Sequence, residues 1–151
     1  NHFDDDELLD FLRSRAQHAR YITSVCSGAL LLGAAGLLRG YRATTHWMSL
    51  DLLPLLGAEP VRDRVVRDGN RITGGGVTAG IDFGLAVAAE LFGPATAQRI
   101  QLAIEYAPAP PFESGAPDSA PDDIRRDLLR DSNAALQRRR ALVEAAARRL
   151  D

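Results

Sequence analysis

The only cysteine of the chain lies in the stretch Tyr21-Ile22-Thr23-Ser24-Val25-Cys26-Ser27-Gly28-Ala29-Leu30-Leu31-Leu32. The β-branched residues before the thiol favour a strand, and the Ala/Leu-rich run after it favours a helix. A strand that turns sharply into a helix exposes the residue at the turn, as in a nucleophile elbow. The first N–H groups of such a helix stabilise negative charge on the sulfur. Free cysteines are also often buried and inert, so the residues alone leave a reactive and a structural Cys26 equally open.

The composition is that of a single globular domain. The chain has 151 residues, of which 46% are hydrophobic and 25% are charged, enough to bury a sizeable core. The formal net charge of −2 provides no basic excess for binding nucleic acid. One cysteine cannot form an internal disulfide, and no apolar run approaches the roughly 20 residues of a membrane span. These features predict a soluble, cytoplasmic protein that binds neither nucleic acid nor a membrane.

Segments of strand and helix character alternate along the chain, which predicts an α/β fold. Strands are predicted over residues 21–25 and 42–45, with a hairpin of residues 61–67 and 71–73 around an Asp-Gly turn. Helices are predicted after the acidic residues 4–7, over residues 27–35, from residue 48 to a stop at Gly57, and over residues 81–92, 95–106 and 122–150.

The strands so predicted are fewer than the about five or six of a doubly wound sheet. We therefore expect residues 1–151 to be the C-terminal two-thirds of a single domain, whose first strands precede Asn1.

Several motifs together are distinctive: Val25-Cys26-Ser27-Gly28-Ala29, Ala43-Thr44-Thr45-His46-Trp47, Asp68-Gly69-Asn70, and the segments at residues 33–38, 73–83 and 105–112. They resemble the ThiJ/PfpI superfamily, and within it the isocyanide hydratases, over nearly the whole chain. The resemblance implies a flavodoxin-like (class I glutamine amidotransferase-like) sandwich, with a reactive cysteine at a strand-to-helix elbow. It also implies that the protein is a homodimer.

The same resemblance implies a reaction that needs no cofactor, with Cys26 as the nucleophile. The thiolate would attack the electrophilic carbon of an isocyanide, R–N≡C, to form a thioimidate that is hydrolysed to an N-substituted formamide. Ser27, Gly28 and His46 are implied to bind the substrate or to form the wall of the site. The general acid/base of the family is a carboxylate near the end of the first strand, which we expect before Asn1.

Several of these residues also have a purely structural interpretation. Ser27 is equally suited to capping the helix, and His46 fits a cleft wall better than a general base. Gly74-Gly75-Gly76 precedes a helix, but the chain has no lysine to complete a phosphate loop, so a tight turn near the cleft is predicted. Asp82 in a first helical turn favours an interaction with the helix dipole over catalysis. No spacing of His, Cys and Asp predicts a metal site.

Two other functions remain open on the sequence. AraC-type transcription regulators carry a similar ligand domain, but they continue into helix-turn-helix units that need about a hundred further residues. Here one long charged helix is predicted after residue 121, with no helix-turn-helix units, which favours the hydratase. A cysteine-based redox or stress sensor would instead use Cys26 as an oxidisable thiol.

Overall fold

The computed structural model describes residues 2–150. Its α-helices are α1 (Asp6–Ala16), α2 (Gly28–Ala34), α3 (Ala79–Phe92), α4 (Pro94–Ala103) and α5 (Asp122–Ala147), with a 3-10 helix at Trp47–Leu56. Its strands are β1 (Ile22–Val25), β2 (Arg42–Ala43), β3 (Glu59–Pro60), β4 (Val65–Asp68) and β5 (Arg71–Gly74).

The main sheet has the strand order β1-β5-β4, with β1 parallel to β5 and β5 antiparallel to β4. Val25 pairs with Gly74, so the carboxyl ends of the two parallel strands lie side by side. Because residues that follow parallel strands meet at one sheet edge, Cys26 and Gly75 become neighbours in space. The expected hairpin is confirmed, with Gly69 in the left-handed region at φ 55°.

The core lies between α2, the 3-10 helix and α5. Leu30, Leu38, Leu53, Leu56 and Val143 are among its largest fully buried side chains. Packing against this core covers the apolar side chains of the Ala/Leu run after Cys26 and so stabilises it as a helix. A short helix such as α2, with seven residues, depends on this tertiary contact for its stability.

Several predicted boundaries were wrong. Strand β2 ends at Ala43 rather than residue 45, because the Thr44 N–H donates to the side-chain hydroxyl of Thr73 in β5, at 2.9 Å, instead of to a backbone carbonyl. The helix expected from residue 48 is a 3-10 helix with Pro54 inside it, which ends at Gly57 as predicted. Strand β3 was not predicted at all.

Two further segments are shorter than the sequence indicated. Strand β4 begins at Val65 rather than residue 61, and α4 ends at Ala103 rather than residue 106. The chain leaves the helical path after α4, because Glu105 adopts a left-handed backbone with φ 52°.

Helices α3 and α4 carry an incompletely covered apolar surface. Ala79 is the fully buried residue of α3, whereas Ile81 and Phe92 are 44% and 69% exposed. Leu102 of α4 is 82% exposed. Within residues 2–150, β1 pairs with β5 alone and its other edge carries no strand. Within the described residues, that edge and this apolar surface are therefore left uncovered.

Candidate active site

Cys26 stands directly between β1 and α2 in a backbone conformation that L-residues rarely adopt. Its φ is 56°, and Glu105 is the only other non-glycine residue with a positive φ in the described chain. The Cys26 N–H lies 3.0 Å from the Gly74 carbonyl oxygen and 2.7 Å from that of Gly75. The Cys26 carbonyl oxygen accepts a hydrogen bond from the Thr45 hydroxyl at 2.8 Å. The turn is thus a strained elbow whose backbone is held from both sides.

Ser27 and Gly28 open helix α2 beside the thiol. Ser27 is exposed at the N-cap position, with φ −66° and ψ −5°, and its side chain makes no capping hydrogen bond. The capping interpretation of Ser27 is therefore wrong, because the residue already has a helical backbone. A Cβ on Gly28 would lie 3.3 Å from the Cβ of Ser24, so this glycine allows the helix to pass close to β1.

A cleft of about 440 Å³ opens next to the elbow. Thr45 and Gly75, which both hydrogen-bond the Cys26 backbone, belong to its wall, whereas Cys26 itself does not. The turn predicted for residues 74–76 thus lies at the cleft. The remaining wall contains aromatic, apolar and charged groups: His46, Trp47, Leu50, Val77, Pro117, Arg62, Asp63, Arg64 and Thr78.

His46 forms part of this wall and is not bonded to the thiol. Its Nδ1 accepts a hydrogen bond from the Met48 N–H at 3.3 Å, and its ring stacks on Trp47 with centroids 6.0 Å apart. Burial and, secondarily, the positive charge of Arg139 lower the pKa of His46. The lowered pKa favours the neutral ring, and the hydrogen bond accepted by Nδ1 favours the tautomer with the proton on Nε2.

A cluster of polar side chains beside the cleft was missed by sequence reasoning. Asp82, in the first turn of α3, accepts hydrogen bonds from the Arg64 guanidinium and from the Tyr106 hydroxyl, the latter at 3.1 and 3.2 Å. The hydrogen bond with Asp82 raises the pKa of Arg64. Arg64 also donates to the Thr78 hydroxyl at 3.3 Å. The position of Asp82 in a first helical turn was the one signal visible in the sequence, and it was interpreted as favouring the helix dipole over catalysis.

The described residues 2–150 contain no helix with the length and apolar character needed to cross a membrane. Over the same residues, His, Cys, Asp and Glu side chains do not gather in groups of three or more that could hold a metal ion.

A family model for the DJ-1/PfpI family matches residues 1–90. The chain belongs to the DJ-1/PfpI family. The isonitrile hydratase of Pseudomonas putida is 59% identical over 148 residues, which are 98% of this chain and 65% of that protein. A ThiJ/PfpI family protein from Pseudomonas syringae has 48% identity and a TM-score of 0.90, over 97% of this chain and 59% of its own. The predicted fold family is thereby confirmed.

More distant relatives have other names. The HTH-type transcriptional regulator CdhR of Pseudomonas aeruginosa is 34% identical over 62% of this chain and 28% of its own. Drosophila melanogaster DJ-1beta has 27% identity and a TM-score of 0.62, over 71% of this chain and 57% of its own. The chain spans less than two-thirds of the length of each relative named here.

Proposed function

We propose that the protein carrying this chain is an isocyanide hydratase, which adds water to R–N≡C to give an N-substituted formamide. The observation that carries the proposal is the 59% identity to the isonitrile hydratase of Pseudomonas putida over 98% of this chain, isonitrile being another word for isocyanide. The elbow at Cys26 supports it, because a half-buried thiol on a strained turn is the arrangement that nucleophilic catalysis uses.

In the proposed reaction the sulfur of Cys26 attacks the terminal carbon of the isocyanide. A C–S bond forms, the carbon takes up a proton, and the product is a thioimidate, S–CH=N–R. Water then adds to that carbon, the nitrogen is protonated, and the C–S bond breaks to release R–NH–CHO and the thiol. The thiolate is the reactive form of the cysteine, so each cycle must return a proton to a base.

We assign the proton transfers to a carboxylate outside residues 1–151. His46 is not suited to the task, because its Nδ1 is occupied by the Met48 N–H and no hydrogen bond joins its ring to Cys26. We propose that Ser27, Gly28 and His46 contact the substrate or form the wall around it. The apolar part of the cleft, with Trp47 and Val77, has the character needed to take the R group.

We also propose that residues 1–151 are the C-terminal two-thirds of one domain in a cytoplasmic homodimer. The unpaired edge of β1 and the exposed apolar surface of α3 and α4 support this proposal, because a parallel strand is normally paired on both sides and soluble proteins cover such surfaces. A strand from the preceding segment would pair with β1 and bring the carboxylate toward Cys26.

The transcription-regulator alternative has weaker support. The similarity to the regulator CdhR is 34% over 62% of this chain, against 59% over 98% for the hydratase. No contact in the described residues specifically favours a redox sensor over a hydratase.

The test is formamide production from cyclohexyl isocyanide by the purified protein and its Cys26→Ala and Cys26→Ser variants. Both variants should lose turnover while keeping the circular dichroism spectrum of the parent. Cys26→Ala has no nucleophile, and the hydroxyl of Cys26→Ser is far less ionised than a thiol at neutral pH. Intact-mass spectrometry after rapid quenching should detect the thioimidate adduct on the parent protein alone. Appreciable turnover by Cys26→Ala would disprove the covalent mechanism.

A further inference from the structure

Arg64 connects two parts of the molecule through different groups. Its guanidinium binds Asp82 and donates to the Thr78 hydroxyl at 3.3 Å, which ties it to the start of α3. Its backbone carbonyl oxygen accepts the Gly75 N–H at 2.9 Å, which ties it to the turn that follows β5. Arg64 therefore bonds the start of α3 through its side chain and the turn at Gly75 through its backbone.

Gly75 in turn holds the backbone of Cys26. The Gly75 carbonyl oxygen accepts the Cys26 N–H at 2.7 Å, the shorter of the two hydrogen bonds that this N–H makes. The left-handed φ of Cys26 is strained, and a strained residue keeps its conformation only when its surroundings fix it. An unbroken path of contacts thus runs from Asp82 through Arg64 and Gly75 to the elbow.

Tyr106 closes the cluster on its third side. Its hydroxyl donates to both oxygens of Asp82 at 3.1 and 3.2 Å. The Tyr106 N–H donates to the Gln101 carbonyl at 3.0 Å, and the Gln101 side chain donates back to the Tyr106 carbonyl at 3.2 Å. These two bonds fix the segment after α4, so the hydroxyl approaches Asp82 from a held position.

We propose that Arg64, Asp82 and Tyr106 form a positioning cluster that holds the turn at Gly75 against the backbone of Cys26. These residues act on the reactivity of the thiol through the turn, without touching the reacting atoms. The inference rests on the part of the proposed function that makes Cys26 a reactive thiol, but not on the identity of the substrate.

The chain offers a matched control in the pair Arg67–Glu90. The pairs Arg64–Asp82 and Arg67–Glu90 both join the β4 region to α3. Their side chains are similarly exposed, at 51% and 32% in the first pair and 54% and 24% in the second. Exposed ion pairs contribute little to stability, so both pairs should be nearly equal in that respect. Among the described residues, neither Arg67 nor Glu90 forms a side-chain hydrogen bond to residues 74–76. Glu90 accepts from Arg67 and from the hydroxyl of Tyr21, which precedes β1.

The experiment measures alkylation of Cys26 by iodoacetamide across pH in the purified protein. Cys26 is the only thiol, so the label reports that residue alone. We expect Arg64→Gln, Asp82→Asn and Tyr106→Phe each to slow alkylation, by about tenfold for the first two. The alkylation rate of Cys26 in Arg67→Gln should stay within about twofold of the rate in the parent. The double variant Arg64→Gln/Asp82→Asn should be no slower than the slower single variant, since both break one connection.

Three outcomes would overturn the cluster. One is an equal alkylation rate of Cys26 in the Arg64→Gln and Arg67→Gln variants, which would mean that both ion pairs have only a structural role. Another is an alkylation rate in Arg64→Lys equal to that of the parent, because a lysine keeps the charge but lacks the guanidinium fork that reaches Asp82 and Thr78 together. A third is alkylation of the parent no faster than in urea. Should Arg64→Gln fail to fold, Tyr106→Phe removes only one hydroxyl and tests the same connection.

The two proposals fail separately. A parent protein whose thiol reacts fast and responds to Arg64→Gln, but which makes no formamide, would disprove the hydratase function and leave the positioning cluster intact.

Discussion

Replacing Cys26 by glycine and by alanine measures the strain stored in the elbow. With a φ of 56°, a residue that has a Cβ pays an energetic penalty of about 1–2 kcal/mol in the left-handed region. Glycine avoids that penalty but loses more backbone entropy on folding, at a cost of about 0.5–1 kcal/mol. The mid-range values of these two effects differ by about 0.7 kcal/mol, so we expect Cys26→Gly to be more stable than Cys26→Ala by about that amount. Both variants lack the thiol, so comparing them isolates the backbone term.

The assay is urea denaturation of the two variants, with the slope of unfolding free energy against urea required to be the same. Ser27 supplies the control, because it follows directly in the sequence but has an ordinary φ of −66°. At that position alanine adopts the helical backbone without a left-handed penalty, so Ser27→Ala should be at least as stable as Ser27→Gly. If Cys26→Ala is as stable as Cys26→Gly, the elbow is not strained and the argument from its geometry is refuted.

Two further predictions concern packing and pH. A Cβ on Gly33 would lie 2.7 Å from Cδ1 of the buried Leu56, so Gly33→Ala should destabilise the fold by about 1–3 kcal/mol in urea denaturation. Gly84, also helical, has nothing within 4 Å of such a Cβ, and Gly84→Ala should stabilise by about 1 kcal/mol. The pKa of His46 is lowered from 6.5, so the unfolded chain binds the proton first and stability should fall as pH drops below about 6.5. Arg139→Gln should raise that pKa, as measured by NMR titration of the ring protons, because it removes the nearby positive charge.

Each of these two has a clear contrary outcome. Equal effects of alanine at Gly33 and Gly84 would show that the close contact with Leu56 relaxes without cost. A His46 pKa that stays the same in Arg139→Gln would leave burial as its sole cause.

The position of the elbow is a property of the local sequence. A β-branched run, a small polar turn and an Ala/Leu run act over a few residues each, and Cys26 falls at their junction whatever surrounds them. The Asp68-Gly69 turn is local in the same sense, because glycine accepts the left-handed φ that a tight hairpin needs. The family followed from such motifs as well.

Contacts between distant residues were decided only by the tertiary structure. Asp82 lies 18 residues from Arg64 and 24 from Tyr106, and Arg139 reaches the buried hydroxyl of Ser49 across 90 residues. The burial of Leu53 and Leu56 in the core is likewise set by the segments that pack on Trp47–Leu56. Local preference acts within a turn or two of chain, whereas such contacts form only after the sheet and helices have fixed which segments meet. The sequence alone therefore located the thiol, and the fold supplied the groups that hold it.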